Sequence, residues 1–159
     1  MNISSREVMP LIKSALKRGQ RVRLTVHGSS MLPFLRDGSV VEIEAAAKPR
    51  VGDLVLVKTS LPAQEERYVL HRMVRKVSGT GFLIRGDAHT YTEGPFKEEA
   101  ILGRVNTAWH RGRARVMDRG FWRLAGLVWI YTLPLNLWLL QATRRVLGIK
   151  RRAARRLQR

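Results

Sequence analysis

The sequence predicts a mainly β, antiparallel domain with a short N-terminal helix and C-terminal apolar helices. Three observations lead there. Between residues 21 and 105 the chain breaks into short runs of β-branched and aliphatic residues separated by Gly, Pro and Asp clusters. Residues 1–20 instead carry apolar side chains at helical spacing. Residues 124–143 run for twenty positions without a charge. A length of 159 residues suits one such domain with an appendage, and 45% hydrophobic against 26% charged residues excludes a disordered chain.

The elements follow in order. In residues 1–20, Val8, Leu11, Ile12 and Leu16 share one helical face, and Pro10 is tolerable only in the first turns. Mixed charges and the lack of an apolar core of roughly 7–15 residues argue against a secretory signal there. Val22, Leu24 and Val26 alternate with Arg21, Arg23 and Thr25, the pattern of a half-buried strand. Residues 39–44 and 53–58 are further strands, and the segment from Lys48 to Asp53 turns between them. Residues 67–77 form a longer strand, connected through Ser78-Gly79-Thr80-Gly81 to a strand at 82–85. Residues 101–105 close the β region, which spans 21–118 as a domain, and residues 1–118 are expected to stand without the rest. Residues 109–123 read as an Arg-rich linker broken by Gly112 and Gly120, 119–143 as an apolar membrane-associating segment, and 144–159 as a basic tail.

Charge is unevenly distributed. The net charge is +18, of which residues 119–159 contribute +10 with no acidic residue. A basic tail beside an apolar run fits an anionic membrane surface better than nucleic acid, and no DNA-binding module accompanies it. No specific nucleic acid is expected as a partner. With no Cys there is neither a disulfide framework nor a thiolate nucleophile.

Four segments carry candidate chemistry. Gly28-Ser29-Ser30-Met31-Leu32-Pro33 lies between two strands, where a turn presents a hydroxyl to a cleft and backbone N–H groups face a developing oxyanion. Val51-Gly52-Asp53 opens a strand, Leu70-His71-Arg72 lies inside one, and Arg85-Gly86-Asp87-Ala88 is followed by Glu93. Each alone has an ordinary reading. Ser and Pro belong in turns, Met and Leu fill cores, a strand histidine is commonly just hydrogen-bonded, and Gly-Asp is a turn. Their order and spacing together are the signal.

Together, G-S-S-M-L-P-F-L-R-D-G, V-G-D-L-V-L-V, V-L-H-R-M-V, I-R-G-D-A and I-L-G-R-V resemble the superfamily of signal peptidases and self-cleaving SOS-type repressors, over residues 21–105. The resemblance implies that Ser30 is the nucleophile. It implies that His71 is the general base, as in the Ser/His branch of the endoplasmic-reticulum, archaeal and spore-former type. Gly28, Ser29, Met31 and Pro33 then belong to the oxyanion and substrate-binding turn. Asp87 matches the first acidic position of that branch. The second falls on Thr92 or is replaced by Glu93, so Asp87 and Glu93 both stand as candidates for the third catalytic group, with Asp87 first because it matches the motif directly. Asp87 has an alternative role in holding its loop together. His89 competes as the base, His27 ends a strand, His110 sits in the linker, and Arg72 reads as a solvated or structural residue.

The implied activity is a serine endopeptidase that cleaves a signal or leader peptide from a precursor by a Ser/His mechanism. The alternative is a catalytically silent relative that binds peptides or a membrane complex. No cofactor is expected, and no metal is assigned, since His-Glu-x-x-His or a similar spacing is absent, while the four His leave a His/carboxylate site open. Pro134 and Asn136 interrupt residues 124–143, and aromatic residues are spread along it rather than gathered at its ends. The favoured expectation is a helix–Pro–helix in the cytoplasmic leaflet, with a single span and an apolar hairpin packed on the β domain as alternatives. Membrane association is expected, with the cytoplasmic side favoured for the catalytic domain over a translocated one.

Overall fold

A computed structural model describes residues 5–46, 48–59 and 67–132. The elements are α1 (Ser5–Lys17), β1 (Val22–Thr25), β2 (Val40–Glu44), β3 (Leu54–Thr59), β4 (Arg67–Val77), β5 (Gly81–Arg85), β6 (Glu93–Phe96), a 3-10 turn (Glu98–Ala100), β7 (Ile101–His110), β8 (Arg113–Val116) and α2 (Gly120–Tyr131). All eight strands join one antiparallel sheet in the order β1-β2-β7-β3-β4-β5-β6, with β8 paired to β7. The mainly β, antiparallel class expected from the alternating runs is the class found.

Strand alternation divides the core between two faces. Leu54 and Leu56 of β3 and Leu70 of β4 face the larger core, with Met31, Phe34, Leu35, Ile43 and Val105. The intervening Val55 and Val57 face a smaller core with Met73, Phe82 and Ile84. Because side chains alternate along a strand, His71 lies on the smaller-core face with Met73, while Arg72 points into the larger core. α1 packs on the larger core through Met9, Ile12 and Leu16. Leu11, expected on that face, is 69% exposed, and Met9 takes the inner position. Pro10 sits in the second turn of α1.

Three strand features escaped the sequence pattern. β7 continues past residue 105 to His110, because its later residues pair with both β2 and β8. The expected linker is in fact a hairpin. Arg111 (φ 49°) and Gly112 (φ 74°) form its two-residue turn, and the arginine carries no turn signal in the sequence. β6 is short and interrupted by Pro95, so it shows no strand period.

α2 begins at Gly120, earlier than the apolar run suggested, and packs on the β domain. Trp122, Ala125 and Trp129 adjoin the larger core. The Arg123 guanidinium donates to the Asp53 carboxylate and to the Val51 carbonyl, and Trp129 Nε1 donates to the Asp87 carbonyl at 2.8 Å. A division of the chain at residue 118 therefore cuts through a packed unit. No described helix is long and apolar enough to cross a membrane. Residues 133–159, with Pro134 and the basic tail, lie outside the described residues.

Candidate active site

The four motif segments meet in the fold, but they sort into two groups with different chemistry. The first is a buried ionic frame. Arg72 is 0% exposed, and its Nε and Nη2 donate to the two Asp87 carboxylate oxygens at 2.7 Å each. Its Nη1 donates to the Gly52 carbonyl at 2.9 Å, and the Phe34 ring lies 4.6 Å from the guanidinium carbon. Burial pushes the Asp87 carboxyl above its ordinary value, and Arg72 and then Arg85 oppose that. The two short, parallel bonds are those of an ionised fork pair. α2 lies over this frame because Gly126 has no side chain, and a Cβ there would collide with the Arg72 guanidinium. Asp53 is also buried and holds the Arg50 N–H at 2.9 Å as well as Arg123. The Val51-Gly52-Asp53 and Gly86-Asp87 motifs thus anchor α2. Arg72, open to a solvated reading, is a buried structural residue.

The second group surrounds His71. β4 pairs Met73 with Ile84, and β5 pairs Ile84 with Glu93, so Glu93 stands on the same sheet face as Met73 and His71. Glu93 Oε1 lies 3.1 Å from His71 Nδ1. The contact does not have the geometry of a linear hydrogen bond, and it becomes a charge pair only when the imidazole is protonated. Of the two candidate carboxylates, the one beside His71 is Glu93, while both Asp87 oxygens are occupied by Arg72. His71 is 6% exposed. Burial lowers its pKa below the ordinary histidine value, and the nearby Glu93 charge offsets part of that. The ring is therefore neutral near pH 7. With Nδ1 turned toward Glu93, Nε2 is the nitrogen left to accept a proton.

Ser30 reaches this group through the 86–89 loop. Its carbonyl accepts the Ala88 N–H at 2.9 Å. A Cβ on Gly86 would come within 2.8 Å of both that carbonyl and His89 Nδ1, so only glycine allows the serine turn and His89 to close on each other here. The His89 ring meets His71 edge-on at 5.5 Å and stacks on Tyr91 at 4.9 Å. No hydrogen bond joins Ser30 to His71 among the described residues.

The other turn residues divide by exposure. Gly28 adopts φ +93°, as its expected turning role needs, and its N–H is held by Asp37 at 2.9 Å. Ser29 and Pro33 are exposed, and Pro33 follows a cis peptide bond. Met31 is 2% exposed in the larger core, so its side chain anchors the turn. The Ser30 N–H has no protein acceptor among the described residues. His27 is a surface residue near Asp37, and His110 Nδ1 lies 3.2 Å from Ser39 Oγ at the far end of β7.

Comparison with known proteins found no match to a family model, a curated protein or a solved structure. The motif resemblance therefore rests on the quoted residues themselves.

Proposed function

We propose that this protein is a serine endopeptidase that cleaves a signal or leader segment from a precursor, with Ser30 as nucleophile, His71 as base and Glu93 as the carboxylate that orients and charges the base. The observation that carries the reading is a buried imidazole with a carboxylate 3.1 Å from it, joined to the Ser30 turn through the 86–89 loop. His71 Nε2 takes the Ser30 Oγ proton as Oγ attacks the scissile carbonyl. The Ser30 N–H stabilises the oxyanion. The imidazolium, stabilised by Glu93, then protonates the leaving amine, and water releases the acyl group by the same route. The alternative of a silent peptide-binding relative draws on the missing Ser30–His71 hydrogen bond, although such bonds are often long before substrate binds. A fluorophosphonate probe separates the two. Labelling at Ser30 that is lost in Ser30→Ala and in His71→Ala supports the peptidase. An unlabelled, folded wild-type chain supports the silent relative.

Attachment to an anionic membrane is part of the same proposal. α2 is apolar on two sides. Trp122, Ala125 and Trp129 pack inward, whereas Phe121 (72% exposed), Leu124 (61%), Val128 (54%) and Tyr131 (76%) share one outward face. A solvated helix seldom shows such a stripe, and the chain beyond it is strongly basic.

A further inference from the structure

The group around His71 has the donor set of a metal site. His71, His89 and Glu93 each offer one ligand atom, and the three atoms lie within 4.8 Å of one another. The Nδ1 atoms of both histidines are buried and make no hydrogen bond of good geometry, that of His71 having only the off-line Glu93 oxygen at 3.1 Å. A buried polar atom left without a partner costs about 1–3 kcal/mol. A cation held by this cluster supplies a partner to each nitrogen that binds it.

Donor chemistry selects the ion. Two imidazole nitrogens and one carboxylate oxygen suit Zn2+, whose bonds to N and O run to roughly 2.0–2.2 Å. Ca2+ and Mg2+ demand oxygen ligands, and the cluster has a single carboxylate. Ligands around a tetrahedral zinc sit about 3.4 Å apart, as those bond lengths require. His71 Nδ1 and Glu93 Oε1 already stand at 3.1 Å. The remaining closure falls to His89, which lies on a loop, while the Glu93 side chain is 31% exposed and free to adjust.

We infer that His71, His89 and Glu93 form a Zn2+ site whose occupation removes His71 from service as a general base; the second half of this rests on the peptidase reading. A neutral imidazole has one lone pair on nitrogen and one N–H. Once Nδ1 gives its lone pair to the metal, the proton resides on Nε2, and that nitrogen has nothing left with which to accept the Ser30 proton. Zinc also draws the Glu93 carboxylate from its place as counter-charge to the imidazolium. The filled site is an inhibited state, and His89 is the residue that distinguishes it from a plain Ser/His/Glu arrangement.

The test uses the full-length chain and Zn2+ alone, titrated by calorimetry in a non-chelating buffer, with Co2+ as a visible-absorbing substitute. The expected result is one Zn2+ per chain, bound at least tenfold more weakly by His89→Ala and by Glu93→Gln, and equally well by the surface control His27→Ala. Circular dichroism establishes that each variant is folded. Stoichiometric Zn2+ should also slow probe labelling of Ser30, and a chelator should restore it. No stoichiometric binding to the wild type, or binding that survives both His89→Ala and Glu93→Gln, overturns the site. Zinc bound at the cluster without slowed labelling overturns its inhibitory role. Zinc bound there on a chain whose Ser30 never labels, with or without metal, leaves the site standing and removes the peptidase reading.

Discussion

Asp87→Asn tests the division of labour between the two carboxylates. The substitution keeps the shape of the side chain and removes its charge. It leaves Arg72, 0% exposed, with the Gly52 carbonyl and a neutral amide in place of a carboxylate fork. Breaking a buried ion pair from one side costs about 3–5 kcal/mol. The retained Asn carbonyl oxygen still accepts one bond, so the lower end, about 3 kcal/mol, is expected. Against a typical stability of about 5–15 kcal/mol that is a large share. For a chain of this size each kcal/mol moves the melting temperature by about 2–4 °C, which gives a fall of roughly 6–12 °C. Thermal and urea melts followed by circular dichroism measure it. The double variant Arg72→Met/Asp87→Leu should recover much of the loss, because an apolar pair carries no desolvation penalty. The variant should still be labelled at Ser30 below its own transition. An Asp87→Asn protein that melts within about 2 °C of the wild type but has lost labelling at Ser30 would refute the reasoning, since the carboxylate would then act on the reaction and not on the frame.

Four further outcomes follow from the same geometry. Burial lowers the His71 pKa, so Ser30 labelling should rise with pH through a midpoint below the ordinary value of about 6.5. Stability should fall as pH drops from about 6.5 through that same folded value, because the unfolded chain binds the proton first. Glu93→Gln removes a charge that raises the His71 pKa, and a pH–rate series should show the midpoint moving further down with a lower plateau; an unmoved midpoint counts against the pair. Gly126→Ala gains up to about 1 kcal/mol of helix propensity but forces a methyl group onto a guanidinium pinned on both sides, a clash worth about 1–3 kcal/mol. A net loss of stability in urea is expected, and a gain would show that α2 does not lie on Arg72. Replacing Phe121, Leu124 and Val128 together by Ser should leave the fold intact, as all three are more than half exposed, and should reduce sedimentation with anionic vesicles at least tenfold. Undiminished sedimentation would move the attachment to other residues.

The fold class was legible because strand alternation is a local property. Val22 and Leu24 against Arg23, or the runs at 40–44 and 54–59, state their period within a few residues. The turn around Ser30 was legible for the same reason, since Gly28, Pro33 and Gly38 mark it in the sequence. β6 and β8 were not, because Pro95 and the Arg111-Gly112 turn break or hide the local signal and pairing with a neighbour defines both strands. α2 presented a single apolar composition, and composition does not say which face packs on the sheet and which stays outside. That was decided by Gly126, Arg123 and Trp129 meeting partners 42 to 72 residues away in the chain.

The roles of the acidic residues show most clearly where sequence stops. The sequence by itself determined that a serine turn, a strand histidine and two downstream carboxylates exist in one short β domain. It put Asp87 ahead of Glu93, because Asp87 matches the motif directly. The tertiary structure gives the place beside the imidazole to Glu93 instead. Consecutive side chains on β4 point to opposite faces, so His71 and Arg72 demand partners on opposite sides of the sheet. The strand register then delivers Glu93 to the imidazole, and the loop after β5 delivers Asp87 to the guanidinium. Register is set by long-range pairing and by how buried charges find counter-charges, and neither is encoded in the spacing of a motif.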